Sequence, residues 1–380
     1  MEIDFDVVKQ TPMYICEIEK LEKNLLILNR VQEESGASII LALKGFAMHA
    51  TFPYVGAYLH GCTASGLHEA TLAREMMNKE VHTYSPAFKD DEIEEIAELS
   101  DDIVFNSPAQ LFKYKDIVKK VNPYINISLR INPECSESPV DLYNPCGLNS
   151  RLGTTKANFD EEVLEHLDGL NFHALCEQGV DALEKVLQAF EENFGEYIAK
   201  VNYINFGGGH HITKEGYDVD RLIEVIKDFR QRHNNIEVYL EPGEAVAWET
   251  GVLVSRVLDI VDNGMKVAIL DSSAEAHMPD TLAMPYRAEV RGAGKANEKA
   301  FTYKLGGNTC LAGDIMGDYS FDKELSIGDK IIFEDQIHYT FVKNTTFNGI
   351  KLPSLALWTK KGELQVVKDF TYDEYKRRLS

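Results

Sequence analysis

In the stretch Ser38-Ile39-Ile40-Leu41-Ala42-Leu43-Lys44-Gly45-Phe46, six apolar or small residues run into a lone cation, and a glycine follows. A short apolar run bounded by glycine reads as a buried strand. Burial lowers a lysine's pKa because it disfavours the charged form. A partly neutral amine is a nucleophile that forms Schiff bases with carbonyl compounds. Taken alone, a lysine at a strand end more often snorkels out into solvent. Lys44 is not alone. His173 follows an apolar segment, Gly207, Gly208 and Gly209 follow another, and Glu241-Pro242-Gly243 closes a third.

Each of these has a bland alternative. Three glycines after a strand let backbone N–H groups approach an anion, but they also make a plain tight turn. Glu241 would suit a proton held on a ring nitrogen, or a buried salt bridge. A single histidine beside an apolar strand is more often a satisfied core residue. Further on, Gly306-Gly307-Asn308-Thr309-Cys310-Leu311-Ala312-Gly313-Asp314 brings a thiol and a carboxylate together in a glycine-rich stretch. In isolation that reads as a β-turn with a buried cysteine. Tyr339 alone says little, since buried tyrosines usually find some partner.

The elements that must position these groups repeat as strand, turn, helix. Strands are expected at 38–43, ending near 61–65, and at 81–85, 103–105, 125–131, 170–175, 203–206 and 236–240. Helical spacing recurs between most of them, as at Leu183, Val186, Leu187, Phe190 and Phe194. A long loop, 132–158, follows the fifth strand. Eight such strands over about 230 residues predict a (β/α)8 TIM barrel, with its active site at the C-terminal strand ends. Lys44, His173, the glycines and Glu241 all fall there. After about residue 246 strands alternate with glycine turns, and no strong helical period appears until 371–379. The division predicted is a barrel over 13–246, with 1–12 and 247–380 forming a β-rich domain.

The chain of 380 residues carries 61 Asp and Glu against 39 Lys and Arg, a net charge of -22. Such a surface repels phosphate backbones, which argues against nucleic acid; it attracts cations such as polyamines or serves solubility only, and charge alone does not choose between the two. The six cysteines form no CxxC pair, the N-terminus lacks a signal-peptide pattern, and no stretch is apolar enough to span a membrane. The expectation is a cytoplasmic protein with reduced thiols and no membrane partner. Nothing in the spacing indicates a metal.

Together the stretches Ala42-Leu43-Lys44, Phe172-His173, Gly207-Gly208-Gly209, Glu241-Pro242-Gly243, Thr309-Cys310 and Phe333-Glu334-Asp335 with Tyr339 resemble the fold-type III decarboxylases that use pyridoxal 5'-phosphate. This is the group of ornithine and diaminopimelate decarboxylases, with an alanine racemase-like barrel. Leu41-Ala42-Leu43-Lys44-Gly45-Phe46, Asn205-Phe206-Gly207-Gly208-Gly209-His210-His211, Glu241-Pro242-Gly243-Glu244-Ala245 and Glu275-Ala276-His277-Met278-Pro279-Asp280 look most like its carboxynorspermidine decarboxylase subfamily. That subfamily forms norspermidine or spermidine from carboxylated polyamines in polyamine biosynthesis.

The resemblance implies roles. Lys44 would hold the cofactor, His173 would stack on its ring, and Glu241 would keep the ring nitrogen protonated. Gly207, Gly208, Gly209 and Tyr339 would hold the phosphate. Cys310 or Lys44 would protonate Cα after CO2 leaves, with Glu244, His277 and Asp314 toward the substrate. Cys310 and Asp314 would come from a partner subunit, implying a homodimer with shared sites.

Two positions depart from the wider group. Glu244 stands where an arginine usually follows Glu-Pro-Gly, and Leu311 stands where ornithine decarboxylases have an aspartate. Both argue against ornithine and suit a polyamine. The alternatives are a diaminopimelate or other basic amino-acid decarboxylase of the same fold, or an inactive regulatory relative. A racemase fits poorly, since it would oppose the ring nitrogen with an arginine.

Overall fold

The computed structural model describes residues 2–138 and 141–380. The chain forms two compact units, residues 23–246 and residues 1–22 with 247–380.

Unit 23–246 is a closed barrel of eight parallel strands: Ser38–Ala42, Gly61–Ala64, Glu80–Tyr84, Asp102–Phe105, Asn126–Arg130, Gly169–Asn171, Tyr203–Asn205 and Glu237–Leu240. The first and last strands close it through the pairs Ser38↔Tyr239 and Ile39↔Leu240. Every expected strand is present. Strands such as Ser38–Ala42, buried on both faces, read as continuous apolar runs, whereas Glu80–Tyr84 and Asn126–Arg130 mix polar residues into theirs and were marked by β-branched and aromatic residues between turns. Helix Val180–Ile198 buries Leu183, Val186, Leu187, Phe190 and Phe194, the face its spacing marked. Helix Pro108–Val121 starts with proline inside its first turn, and the Ser107 hydroxyl accepts from Gln110 N at 3.3 Å. Between the fifth and sixth strands the described residues carry 3-10 turns, at Asp141–Tyr143, Lys156–Asn158 and Glu161–His166, and one isolated bridge, Ile131 to Thr154.

The interior of the barrel is partly ionic. His82, 1% exposed, places Nε2 2.6 Å from Glu80 Oε1, and the Tyr239 hydroxyl donates to the same oxygen at 3.0 Å. Asp102, fully buried, accepts from Ser128 Oγ at 2.9 Å and from the Tyr203 hydroxyl. Burial opposes charge on His82, but Asp102 and Glu80 outweigh it, and the imidazole pKa is pushed up to about 9.

The second unit is a nine-stranded sheet. Eight strands lie in the order Gly294–Lys295, Ile315–Phe321, Phe301–Gly306, Lys266–Leu270, Gly251–Asp262, Met13–Glu17, Ser354–Trp358, Leu364–Lys368, while Lys330–Glu334 pairs with Gly251–Asp262. The boundary drawn at residue 13 therefore differs from the fold. Met13–Glu17 lies within this sheet, antiparallel to Gly251–Asp262 and parallel to Ser354–Trp358. All five of its residues are buried, so it shows no alternation. Met13, Ile15, Val252, Val254, Ala356 and Trp358 form the core beneath it. Short helices Ala274–His277, Asp280–Ala283 and Tyr339–Val342 interrupt a region expected to be all strand. Helix Tyr372–Leu379 does form, closed by a Thr371–Glu374 capping box. No described helix is long and apolar enough to cross a membrane.

Candidate active site

Lys44 sits in the turn just past the first barrel strand, where Gly45 N and Phe46 N both donate to Ala42 O, at 3.0 and 3.3 Å. This turn packs on the one after the eighth strand. A Cβ on Gly45 would lie 2.9 Å from Gly243 Cα, so the contact requires glycine. Among the described residues the Lys44 ammonium has no hydrogen bond and no ion pair. By accessible area Lys44 is exposed. Protein atoms nevertheless crowd it from the sides. That crowding, and after it the positive charge of Arg130, lowers its pKa against the weaker pull of Glu241, Glu69 and Cys176.

His173 follows the sixth strand, and its Nδ1 accepts the Gly208 N–H at 2.8 Å. The accepting nitrogen must carry a lone pair, so the neutral ring has its proton on Nε2. Burial first, then Lys44 and Arg130, hold its pKa well below the usual histidine range. Behind it His210 is 1% exposed, and burial pushes its pKa down to about 4. The ring at position 173 is therefore an uncharged plane at neutral pH.

Gly207, Gly208 and Gly209 are first of all packing residues. Added Cβ atoms would lie 2.4 Å from Phe172 O, 2.2 Å from Glu241 O and 2.0 Å from Leu175 O respectively. Their amides are not equivalent. Gly207 N donates to Asn205 Oδ1 at 2.8 Å and Gly208 N to His173. Among the described residues the Gly209 and Gly243 N–H groups donate to no protein acceptor, so these are the pair left for an anion. Three anion-binding amides in a row were expected. One remains there, and a second comes from the eighth strand's turn.

Glu241 receives a hydrogen bond from Asn205 Nδ2 at 2.9 Å on Oε1. Glu244 opens the short helix Glu244–Ala247 and pairs with His211 Nε2 at 3.2 Å, so its charge is partly matched within the barrel. Arg130 escaped the sequence reading. It ends the fifth strand 5% exposed, donates to His173 O at 3.1 Å and stacks 4.7 Å over the Tyr84 ring. Its signal was related to that of Lys44, a cation at the end of a strand, but its strand alternates polar and apolar residues.

Cys310, Asp314, His277 and Tyr339 lie in the other unit. Cys310 is exposed, and its N–H donates to Asn348 Oδ1 at 2.8 Å. Asp314 is 3% exposed and saturated: Oδ1 accepts from Ser273 Oγ, Ala274 N and Glu275 N, while Oδ2 accepts from Thr309 N and Thr309 Oγ1. It was expected to face substrate. The geometry makes it a knot holding the turn that carries Cys310. His277 was also expected to face substrate, yet it has no accessible surface and its Nδ1 accepts from Ser273 N at 3.2 Å. Burial pushes its pKa down to about 4. Tyr339 is half-buried at the start of Tyr339–Val342.

Asp314→Ala should orphan several donors and destabilise the protein by about 3 kcal/mol or more, whereas Cys310→Ser should change stability by less than about 0.5 kcal/mol. Urea midpoints of the two variants check this.

The barrel mouth thus joins an unpaired lysine of lowered pKa, a neutral imidazole, a carboxylate with a fixed donor and two open amides. The chain is 55% identical to the carboxynorspermidine/carboxyspermidine decarboxylase of Campylobacter jejuni, over 97% of this chain and 98% of that one. It is 45% identical to the carboxyaminopropylagmatine decarboxylase of Synechocystis, over 97% and 95%. The crystal structure of the Campylobacter jejuni carboxynorspermidine decarboxylase with norspermidine superposes with a TM-score of 0.91 at 53% identity, covering 97% of this chain and all of that one. Diaminopimelate decarboxylase from Helicobacter pylori, at 17% identity and a TM-score of 0.82, shares the fold over 98% of each chain. The pyridoxal-dependent decarboxylase, C-terminal sheet domain family matches residues 13–336, and the chain belongs to that family of decarboxylases.

Proposed function

We propose that the protein removes CO2 from carboxynorspermidine and carboxyspermidine, forming norspermidine and spermidine in polyamine biosynthesis. The carrying observation is Lys44, an amine without a partner among the described residues and with a lowered pKa, at the mouth of a barrel whose relatives are named for this reaction.

The residues fit pyridoxal 5'-phosphate. Lys44 would engage its aldehyde carbon and His173 its ring face. The Gly209 and Gly243 N–H groups, with Tyr339, would hold its phosphate, and Glu241 its ring nitrogen. When bound, that ring supplies the sink for the electron pair released by decarboxylation. The protein does the rest. Lys44, losing its proton more readily than a free lysine, presents a nucleophilic amine and afterwards holds a transferable proton at Nζ. Glu241 holds a proton at the ring nitrogen. The neutral His173 ring adds a flat surface without a competing charge. Cys310, on its clamped turn, or Lys44 delivers a proton to Cα, the Cys310 turn coming from a second subunit in a homodimer. Glu244 offers negative charge toward a cationic chain, tempered by His211. The six unpaired cysteines suit a reducing cytoplasm.

A second reading has a specific basis in the 45% identity to a carboxyaminopropylagmatine decarboxylase, whose substrate ends in a guanidinium. The test is CO2 release by purified holoenzyme offered carboxynorspermidine, carboxyspermidine, carboxyaminopropylagmatine, diaminopimelate and ornithine side by side. The expected result is turnover of the first two with kcat/KM at least about tenfold above the rest. Preference for carboxyaminopropylagmatine would establish the second reading, and preference for diaminopimelate or ornithine would overturn both.

A further inference from the structure

We infer that Asn205 is a positioning residue for Glu241 and that it must be a carboxamide; this rests on the role proposed for Glu241. Asn205 ends the seventh barrel strand, between Asn171 and Tyr239 on its neighbours, and is 1% exposed. Its side chain bridges two groups. Oδ1 accepts the Gly207 N–H at 2.8 Å, and Nδ2 donates to Glu241 Oε1 at 2.9 Å. The first bond settles the orientation of the amide, because only the oxygen can accept from a backbone N–H. The NH2 group therefore faces Glu241.

The ring of contacts then closes, since Glu241 N donates to Gly207 O at 2.8 Å. Three hydrogen bonds link the end of the seventh strand, the glycine turn and the end of the eighth strand. Gly207 takes its place in the cycle at φ +72°, where a side chain would be strained and would also strike Phe172 O. The consequence for the carboxylate is specific. Oε1 is occupied by a donor, and among the described residues Oε2 has no protein partner, so the group presents one chosen oxygen in one rotamer.

The residues nearest to asparagine in size do not do both tasks. Aspartate accepts from Gly207 but turns a second oxygen on Glu241. Leucine does neither, and serine is too short to span the two. Asparagine here is a requirement set by one N–H on one side and one carboxylate on the other.

The experiment compares Asn205→Asp, Asn205→Ser, Glu241→Gln and the double variant Asn205→Asp/Glu241→Gln as holoenzymes. Three quantities are read: the pH at which the visible absorbance of bound pyridoxal 5'-phosphate titrates, the Kd of that cofactor by dialysis, and kcat and KM for carboxynorspermidine. Misorienting a group by a fraction of an ångström to an ångström costs on the order of 10–100-fold in rate, so Asn205→Asp should lower kcat by about that factor and move KM by less than about threefold. It should also shift the absorbance titration by about one pH unit or more. In the double variant the amide introduced at position 241 donates to the carboxylate introduced at position 205, so Asn205→Asp should produce no further absorbance shift in that background.

If Glu241→Gln keeps wild-type kcat and titration, the role of Glu241 itself fails. If Glu241→Gln is impaired while Asn205→Asp matches wild type, the inference about Asn205 is overturned. Equal effects of Asn205→Asp in both backgrounds would also overturn it, by showing a merely structural role. Should Asn205→Asp not fold, Asn205→Ser is neutral and smaller and is judged by the same titration: a shift supports the inference, and a wild-type curve overturns it.

Discussion

Lys44→Ala should abolish CO2 release while leaving thermal stability unchanged or raised. The activity loss is expected to be about 10³-fold or more, because the substitution removes the positioned nucleophile and a proton carrier together. The stability result follows from linkage. Crowding, then Arg130, lowers the folded-state pKa of Lys44 below its unfolded value. The unfolded chain therefore binds this proton more tightly, and the native state bears a cost that is full below the folded pKa. That cost is relieved as pH rises toward the unfolded value of about 10.4. Removing the side chain removes the cost, so any gain in melting temperature should be present at neutral pH and vanish near pH ~10–11. Calorimetry across that range, with CO2 release measured on the same samples, checks both halves. A variant that retained a tenth of the activity, or that melted well below wild type at neutral pH, would sink the assignment.

His82→Leu should have the largest effect on stability. The imidazolium stands between two carboxylates inside the barrel, and Glu80 also accepts from the Tyr239 hydroxyl and pairs with His60 Nε2 at 2.7 Å. Burial raises the Glu80 pKa, but hydrogen bonds from His60 and His82 outweigh it and leave it well below the usual range. Asp102 goes the other way: burial, partly countered by His82 and the Tyr203 and Ser128 hydroxyls, pushes it up to about 6.

Removing one partner from a buried ionic group costs about 3–5 kcal/mol, which corresponds to a loss of roughly 10 °C in a unit of this size. The sign with pH is specific. His82 has a raised folded pKa of about 9, so its contribution is complete below the unfolded value near 6.5 and fades as pH climbs through the folded one. Glu80 contributes above its unfolded value of about 4.3 and loses that contribution in stronger acid. The His82→Leu deficit should therefore be large near pH ~7 and shrink toward pH ~10. A melting temperature within ~2 °C of wild type at neutral pH would show that the network adds nothing to stability.

Local sequence carried a great deal here. The eight barrel strands were legible because each combines apolar or β-branched residues with a polar, proline or glycine turn after it. Lys44, His173 and Glu241 were legible because such turns are where this architecture puts its reactive groups. Arg130 carried a related signature and was passed over. Met13–Glu17 could not be assigned locally, since its membership depends on pairing with Gly251–Asp262 and Ser354–Trp358, far along the chain.

Residue type and spacing determined which side chains reach the barrel mouth and what chemistry they offer. Only the tertiary structure decided which of their polar atoms remain available. Asp314 and His277 have the right chemistry for a ligand, but Ser273, Ala274 and Glu275 from a separate segment, with the nearby Thr309, saturate the Asp314 carboxylate, and packing leaves His277 without accessible surface. Gly207 and Gly208 offer N–H groups that Asn205 and His173 already occupy, while among the described residues Gly209 keeps its own. A hydrogen-bonding atom has few places to give, and long-range packing determines whether a neighbour or a ligand takes them.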